Sequence, residues 1–150
     1  MKSIILLVMS IILISSCKEK SLKGNYPDYD ATLKIHLDAI QNHDLSAILS
    51  TVDDSVNLIF PNGQRMKSKT EFAAFHEDWF QNENWSMSPK IVKTVKTDSM
   101  SYSLIQYRYH DIDSAGTRIN PRDNHLLLVF KLGPYGWRLI HDQNTRIQTD

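Results

Sequence analysis

The second half of this chain constrains its fold most. From Trp85 onward, apolar and polar residues alternate in long runs cut only by short turn sequences. A period of two places successive side chains on opposite faces of a strand. Trp85 to Lys96 alternates in this way, with Ile91, Lys93 and Val95 opposed to Val92, Thr94 and Lys96. Thr97-Asp98-Ser99 turns the chain, and Met100 to Ile112 reads as a long strand rich in tyrosine. Asp113-Ser114-Ala115-Gly116 is a second turn. Asn124 to Leu132 is the most apolar run and is expected at the centre of a sheet. Gly133-Pro134-Tyr135-Gly136 is a hairpin loop, and Trp137 to Arg146 is the last strand.

Upstream the period becomes helical. Asp28 or Asp30 can cap a helix by accepting from its free N–H groups. Leu33, Leu37 and Ile40 then recur on one face, with His36 beside them, to about Asn42. Asp44 caps a second helix carrying Leu45, Ile48, Leu49 and Val52, ended by Asp53-Asp54. Ser55 to Phe60 reads as a strand, followed by a Pro61-Asn62-Gly63-Gln64 turn. Ser68-Lys69-Thr70-Glu71 matches a capping box. The third helix shows Phe72, Phe75 and Trp79 on one face and His76 on its surface, and Asn82-Glu83-Asn84 stops it. Three helices and about five strands in this order predict an α+β fold, with helices on one face of a mostly antiparallel sheet.

The charges cancel: Lys+Arg and Asp+Glu each count 17. A nucleic-acid partner is therefore not expected, because such proteins need a basic excess. One cysteine excludes an internal disulfide and a Cys-rich zinc site. The six histidines form no i, i+4 pair on a helix, and Asp111-Ile112-Asp113 begins a calcium loop that does not continue. There is no G-x-x-x-x-G-K and no G-x-S-x-G. No metal or cofactor is expected.

Residues 1–16 read as a leader. Lys2 is a basic n-region, and Ile4 to Ile14 is an apolar run too short to span a bilayer as a helix. It ends in Ile14-Ser15-Ser16-Cys17, which resembles the bacterial lipobox. That resemblance implies a diacylglycerol on Cys17, cleavage before it, and a protein anchored to a membrane of the cell envelope. Residues 17–26 form a polar tether. Lys18 stands where enteric lipoproteins retained in the inner membrane carry Asp, which favours the outer membrane.

Three stretches of residues 27–150 carry a second resemblance. They are Asp38-Ala39-Ile40-Gln41-Asn42-His43-Asp44-Leu45, Asp53 through Gly63, and Gly136-Trp137-Arg138-Leu139-Ile140-His141-Asp142-Gln143. In order and spacing they resemble the nuclear transport factor 2-like superfamily, in its SnoaL-like branch. The resemblance implies a cone: a strongly curved sheet wrapped around helices, with a pocket at the open end, in many members a homodimer. The family holds isomerases, dehydratases, hydrolases and members without activity, so the fold does not name a reaction. The isomerase branch's general base falls at Phe60 and its helix tyrosine at His36, so neither residue of that chemistry is present.

His141 is the best acid–base candidate, because Trp137, Leu139, His141 and Gln143 share a strand phase. If Trp137 lines the cone, His141 and Gln143 do too; a hydrogen-bonded core histidine is the plainer reading. Tyr107, Tyr109 and Asp111 share one face of the long strand and could bind a polar ligand, or could be sheet surface or a dimer interface. His36 could reach the pocket or be a satisfied core histidine. The expected function is a lipid-anchored envelope protein whose pocket takes a small organic ligand or a partner. The alternatives are an acid–base enzyme using His141, and a dimerisation module.

Overall fold

The computed structural model describes residues 25–148, so the leader, Cys17 and all but the end of the tether lie outside the described residues. Helix α1 spans Tyr29–Gln41, capped by the Asp28 carboxylate, which accepts from the Ala31 N–H at 2.8 Å. Helix α2, Leu45–Ser50, is capped by Asp44 in the same way. Strand β1 is Val52–Ile59 and β2 is Arg65–Met66. Helix α3, Lys69–Gln81, starts at Ser68, which accepts from the Glu71 N–H; the Glu71 carboxylate takes the Lys67 N–H. Strands β3 (Trp85–Val95), β4 (Met100–Ile112), β5 (Arg118–Gly133) and β6 (Gly136–Arg146) complete the chain.

The sheet order is β2-β1-β6-β5-β4-β3, with β1 and β6 parallel and all other pairs antiparallel. It is an open, mixed α+β sheet that curves around the N-terminal helices as a cone. Three bulges help it curve, since an unpaired residue bends a strand and increases its twist. Val92 is the extra residue on β3, Asn120-Pro121 face one residue of β4, and Ile140 has no partner on β5. Asn120 has a φ of 51°, and Pro121 lies within the bulge, one of the places in a sheet where proline is found.

The core lies between α1 and the concave face. Leu33, Leu37 and Ile40 of α1 pack with Ile105, Leu126, Leu128 and Phe130, all nearly inaccessible. Tyr29 meets Phe130 and Trp137 edge-on, with ring centroids 5.6 and 5.4 Å apart, and its hydroxyl hydrogen-bonds Ser103.

Several sequence-based expectations change. Val52 leaves the helical stripe to begin β1 beside Leu139, because α2 ends after six residues at Thr51; Asp53 and Asp54 are therefore strand residues. Strand β5 begins at Arg118 rather than Asn124. Its polar start lacks apolar alternation but is held to β4 by the Arg108–Asp123 and Arg122–Asp111 ion pairs. His76 is buried rather than exposed, since Phe72, His76 and Phe80 form an i, i+4, i+8 stripe facing inward.

Candidate functional site

A cavity of about 180 Å³ lies between α3, the end of α1 and the concave face. Its walls are aromatic: Phe60 from the end of β1, Phe75 and Trp79 from α3, and Tyr107 and Tyr109 from β4. Phe60 meets Phe75 edge-on at 5.0 Å, Trp79 stacks on Trp85 at 4.4 Å, and Trp85 stacks on Tyr109 at 5.6 Å. These contacts fix the ring planes, so the walls are largely preformed. The polar groups come from β6 and α3: Asp142, Asn144 and His76.

Those polar groups form a directed chain. The Tyr107 hydroxyl donates to Asn144 Oδ1 at 2.8 Å, and Asn144 Nδ2 donates to Asp142 Oδ1 at 2.9 Å. Asp142 is only 5% exposed, and no ion pair among the described residues includes it. Burial without a cation pushes its carboxyl up to about 7. Burial also raises the Tyr107 hydroxyl, and the Asp142 charge adds to that. His76 donates from Nδ1 to the Phe72 carbonyl at 2.8 Å, and burial lowers its pKa to about 4, so the ring is neutral.

The strand phase from Trp137 does not extend to His141. Phe130 faces Leu139 and Val129 faces His141, so Ile140 is skipped and the two halves of β6 present opposite parities inward. Trp137 and Leu139 are buried before the bulge; Asp142 is buried and Asn144 half-buried after it. His141 and Gln143 therefore lie on the other face. There His141 Nδ1 bonds Asn57 Nδ2 at 2.9 Å and its Nε2 approaches Gln143 Oε1 at 3.4 Å. Neither lines the cavity.

Trp137 packs under α1 against Tyr29, away from the cavity. His36 is wholly buried in the core, with Nδ1 2.8 Å from Thr51 Oγ1 and its edge toward Phe130. Thr51 spends its hydroxyl hydrogen on the Ile48 carbonyl, so His36 must donate from Nδ1. Its Nε2 has no partner among the described residues, and burial, with His76 nearby, lowers its pKa to about 3. Of the six residues singled out in the sequence for ligand binding, the structure brings Tyr107 and Tyr109 to the cavity. Asp142, Asn144 and His76 were missed. The i, i+4, i+8 spacing could have found His76; for Asp142 the one trace is the adjacent apolar pair Leu139-Ile140, a break in alternation. Phe60, where the isomerase branch would carry its base, is a wall residue against Phe75.

No family model matches the sequence, and no curated protein matches it. Solved structures do match its fold. A ketosteroid isomerase-like protein from Erwinia carotovora atroseptica is 18% identical with a TM-score of 0.67, covering 80% of this chain and 94% of that one. A candidate dehydratase of the nuclear transport factor 2-like family from Streptomyces avermitilis is 12% identical with a TM-score of 0.69, covering 80% and 94%. A candidate calcium/calmodulin-dependent protein kinase type II association domain from Thiobacillus denitrificans is 15% identical with a TM-score of 0.69, covering 82% and 98%. The chain has the fold of nuclear transport factor 2-like, or cystatin-like, proteins.

Proposed function

We propose that this chain is a lipid-anchored cell-envelope protein that holds a small organic molecule in the cavity under α3. The observation that carries the reading is the convergence of Tyr107, Asn144 and Asp142 in an otherwise largely apolar cavity. Apolar walls with a few placed polar groups are the common form of a small-molecule site.

The anchor belongs to this reading through the lipobox-like Ile14-Ser15-Ser16-Cys17. Tyr26 rests on Gly136, where an added Cβ would stand 2.8 Å from the Tyr26 Cβ, so only glycine fits there. The chain thus leaves toward Cys17 from the β5–β6 hairpin. Leu126, on the cavity wall, lies seven residues back along β5 from Gly133, about 23 Å at strand rise. A lipid on Cys17 would tether the domain to the bilayer through residues 17–26, which join the fold at the hairpin end. Native mass spectrometry of the membrane-extracted protein tests the ligand reading. A retained small molecule, displaced by an aromatic fragment, supports it; a protein that retains nothing and ignores such fragments contradicts it.

The acid–base alternative moves from His141 to Asp142, because among the described residues Asp142 alone combines a place in the cavity lining with a carboxyl poised near neutrality. Loss of turnover in Asp142→Asn, with the fold intact, is the outcome that reading requires.

A further inference from the structure

We infer that the cavity takes a small organic cation, an aryl- or alkylammonium, with its charge on Asp142 and its body between the aromatic walls. The inference rests on the reading of the cavity as a ligand site and names the ligand's chemistry.

Hydrogen accounting carries it. The Tyr107 hydroxyl hydrogen is committed to Asn144 Oδ1, and an Asn144 amide hydrogen to Asp142 Oδ1. The Phe72 carbonyl can only accept, so His76 holds its proton on Nδ1 and carries a lone pair on Nε2. The uncommitted sites are the Tyr107 oxygen lone pair, the second oxygen of Asp142 and the His76 lone pair. With Asp142 ionised, all three accept; the donors left over at the cavity are the second amide hydrogen of Asn144 and the Tyr109 hydroxyl. An ammonium offers three donors and no acceptor. A buried carboxylate without a cation is costly, and a cation seated on it removes that cost. The rings of Phe60, Phe75, Trp79 and Tyr109 line the space for the ligand's apolar body.

The charged groups around Asp142 leave room for that cation. Helix α3 offers neutral His76, and β4 offers Tyr107 and Tyr109. From β5, Arg122 lies over the Tyr109 ring at 4.6 Å, but its charge is paired with Asp111. Helix α1 and β1 contribute Ile40, Leu58 and Phe60, which are uncharged. Asp142 is therefore the group expected to change charge between pH 5 and 8 on this wall.

Calorimetric titration of the full chain with benzylammonium and with benzyl alcohol, a neutral probe of the same shape, tests the inference. At pH 8 benzylammonium is expected to bind at least about ten-fold tighter, as for a charge-assisted bond. Its affinity should fall by about ten-fold per pH unit below the Asp142 pKa, while that of the alcohol stays flat. Asp142→Asn should bring the two probes within about two-fold; if that variant does not fold, the wild-type pH series decides. Equal or tighter binding of the alcohol overturns the cation inference and leaves the ligand site standing. So does an ammonium preference that ignores both pH and Asp142→Asn. Binding of neither probe overturns both.

Discussion

Tyr107 on β4 and Asn144 on β6 are joined by a hydrogen bond of 2.8 Å that passes over the intervening strand β5. The concave curvature of the sheet permits it, and the bond ties the third and fifth strands of the order β2-β1-β6-β5-β4-β3 at the cavity floor. Behind it Asp142 is held without a cation, and that arrangement has a consequence for stability.

The folded protein keeps Asp142 neutral up to about 7, whereas its ordinary value is 3.8. The native state therefore binds the proton more tightly, and this contribution to stability falls as pH rises from about 4 to about 7. Asp142→Asn removes the dependence. Relative to the variant, the wild type should lose about 3 kcal/mol between pH 4.5 and pH 8, read by urea denaturation at both values. A stability difference that does not change with pH would mean that Asp142 is ionised throughout.

His36 acts in the opposite direction. Its folded pKa, near 3, lies below the ordinary 6.5, so the stability it confers is full above 6.5 and is lost as pH falls toward 3. Nitrogen-15 NMR should show a neutral ring protonated on Nδ1, with no titration above pH 5. A proton on Nε2 would contradict the Thr51 bond as described.

Trp137 is 9% exposed and packed against Tyr29. Trp137→Ala should cost about 3–5 kcal/mol in chemical denaturation, the range for large aromatic truncations in cores. A loss under about 1 kcal/mol would place the ring outside the core.

Cys17 should carry a lipid and be the first residue of the mature chain. Mass spectrometry of membrane-extracted protein checks this, and an unmodified Cys17 in a chain beginning at Met1 would remove the anchor from the account.

The fold was legible because caps, periods and turns are local. Asp28, Asp44 and Ser68 cap the helices they precede, and Met100–Ile112 is a strand with the bounds its sequence predicts. The tyrosine row was legible because β4 pairs with β5 without a slip from Met100 to Tyr109, so parity holds along it. Parity fails on β6 because the bulge at Ile140 is set by pairing with β5, and within β6 only the adjacent apolar pair Leu139-Ile140 hints at it. One skipped residue exchanges His141 for Asp142 at the cavity. His76 was hidden for another reason: its neighbours Glu77 and Asp78 mark a polar face, while Phe72 and Phe80 set the one that matters.

The most direct test of a ligand site on the Asp142 side of the sheet is a methyl and histidine-ring NMR titration of the full chain with benzylammonium. The account predicts saturable shifts at the Met87, Leu58 and Leu126 methyls, which line the cavity, and none at the His141 ring on the opposite face. Saturable shifts at His141 with the cavity methyls unmoved would contradict it.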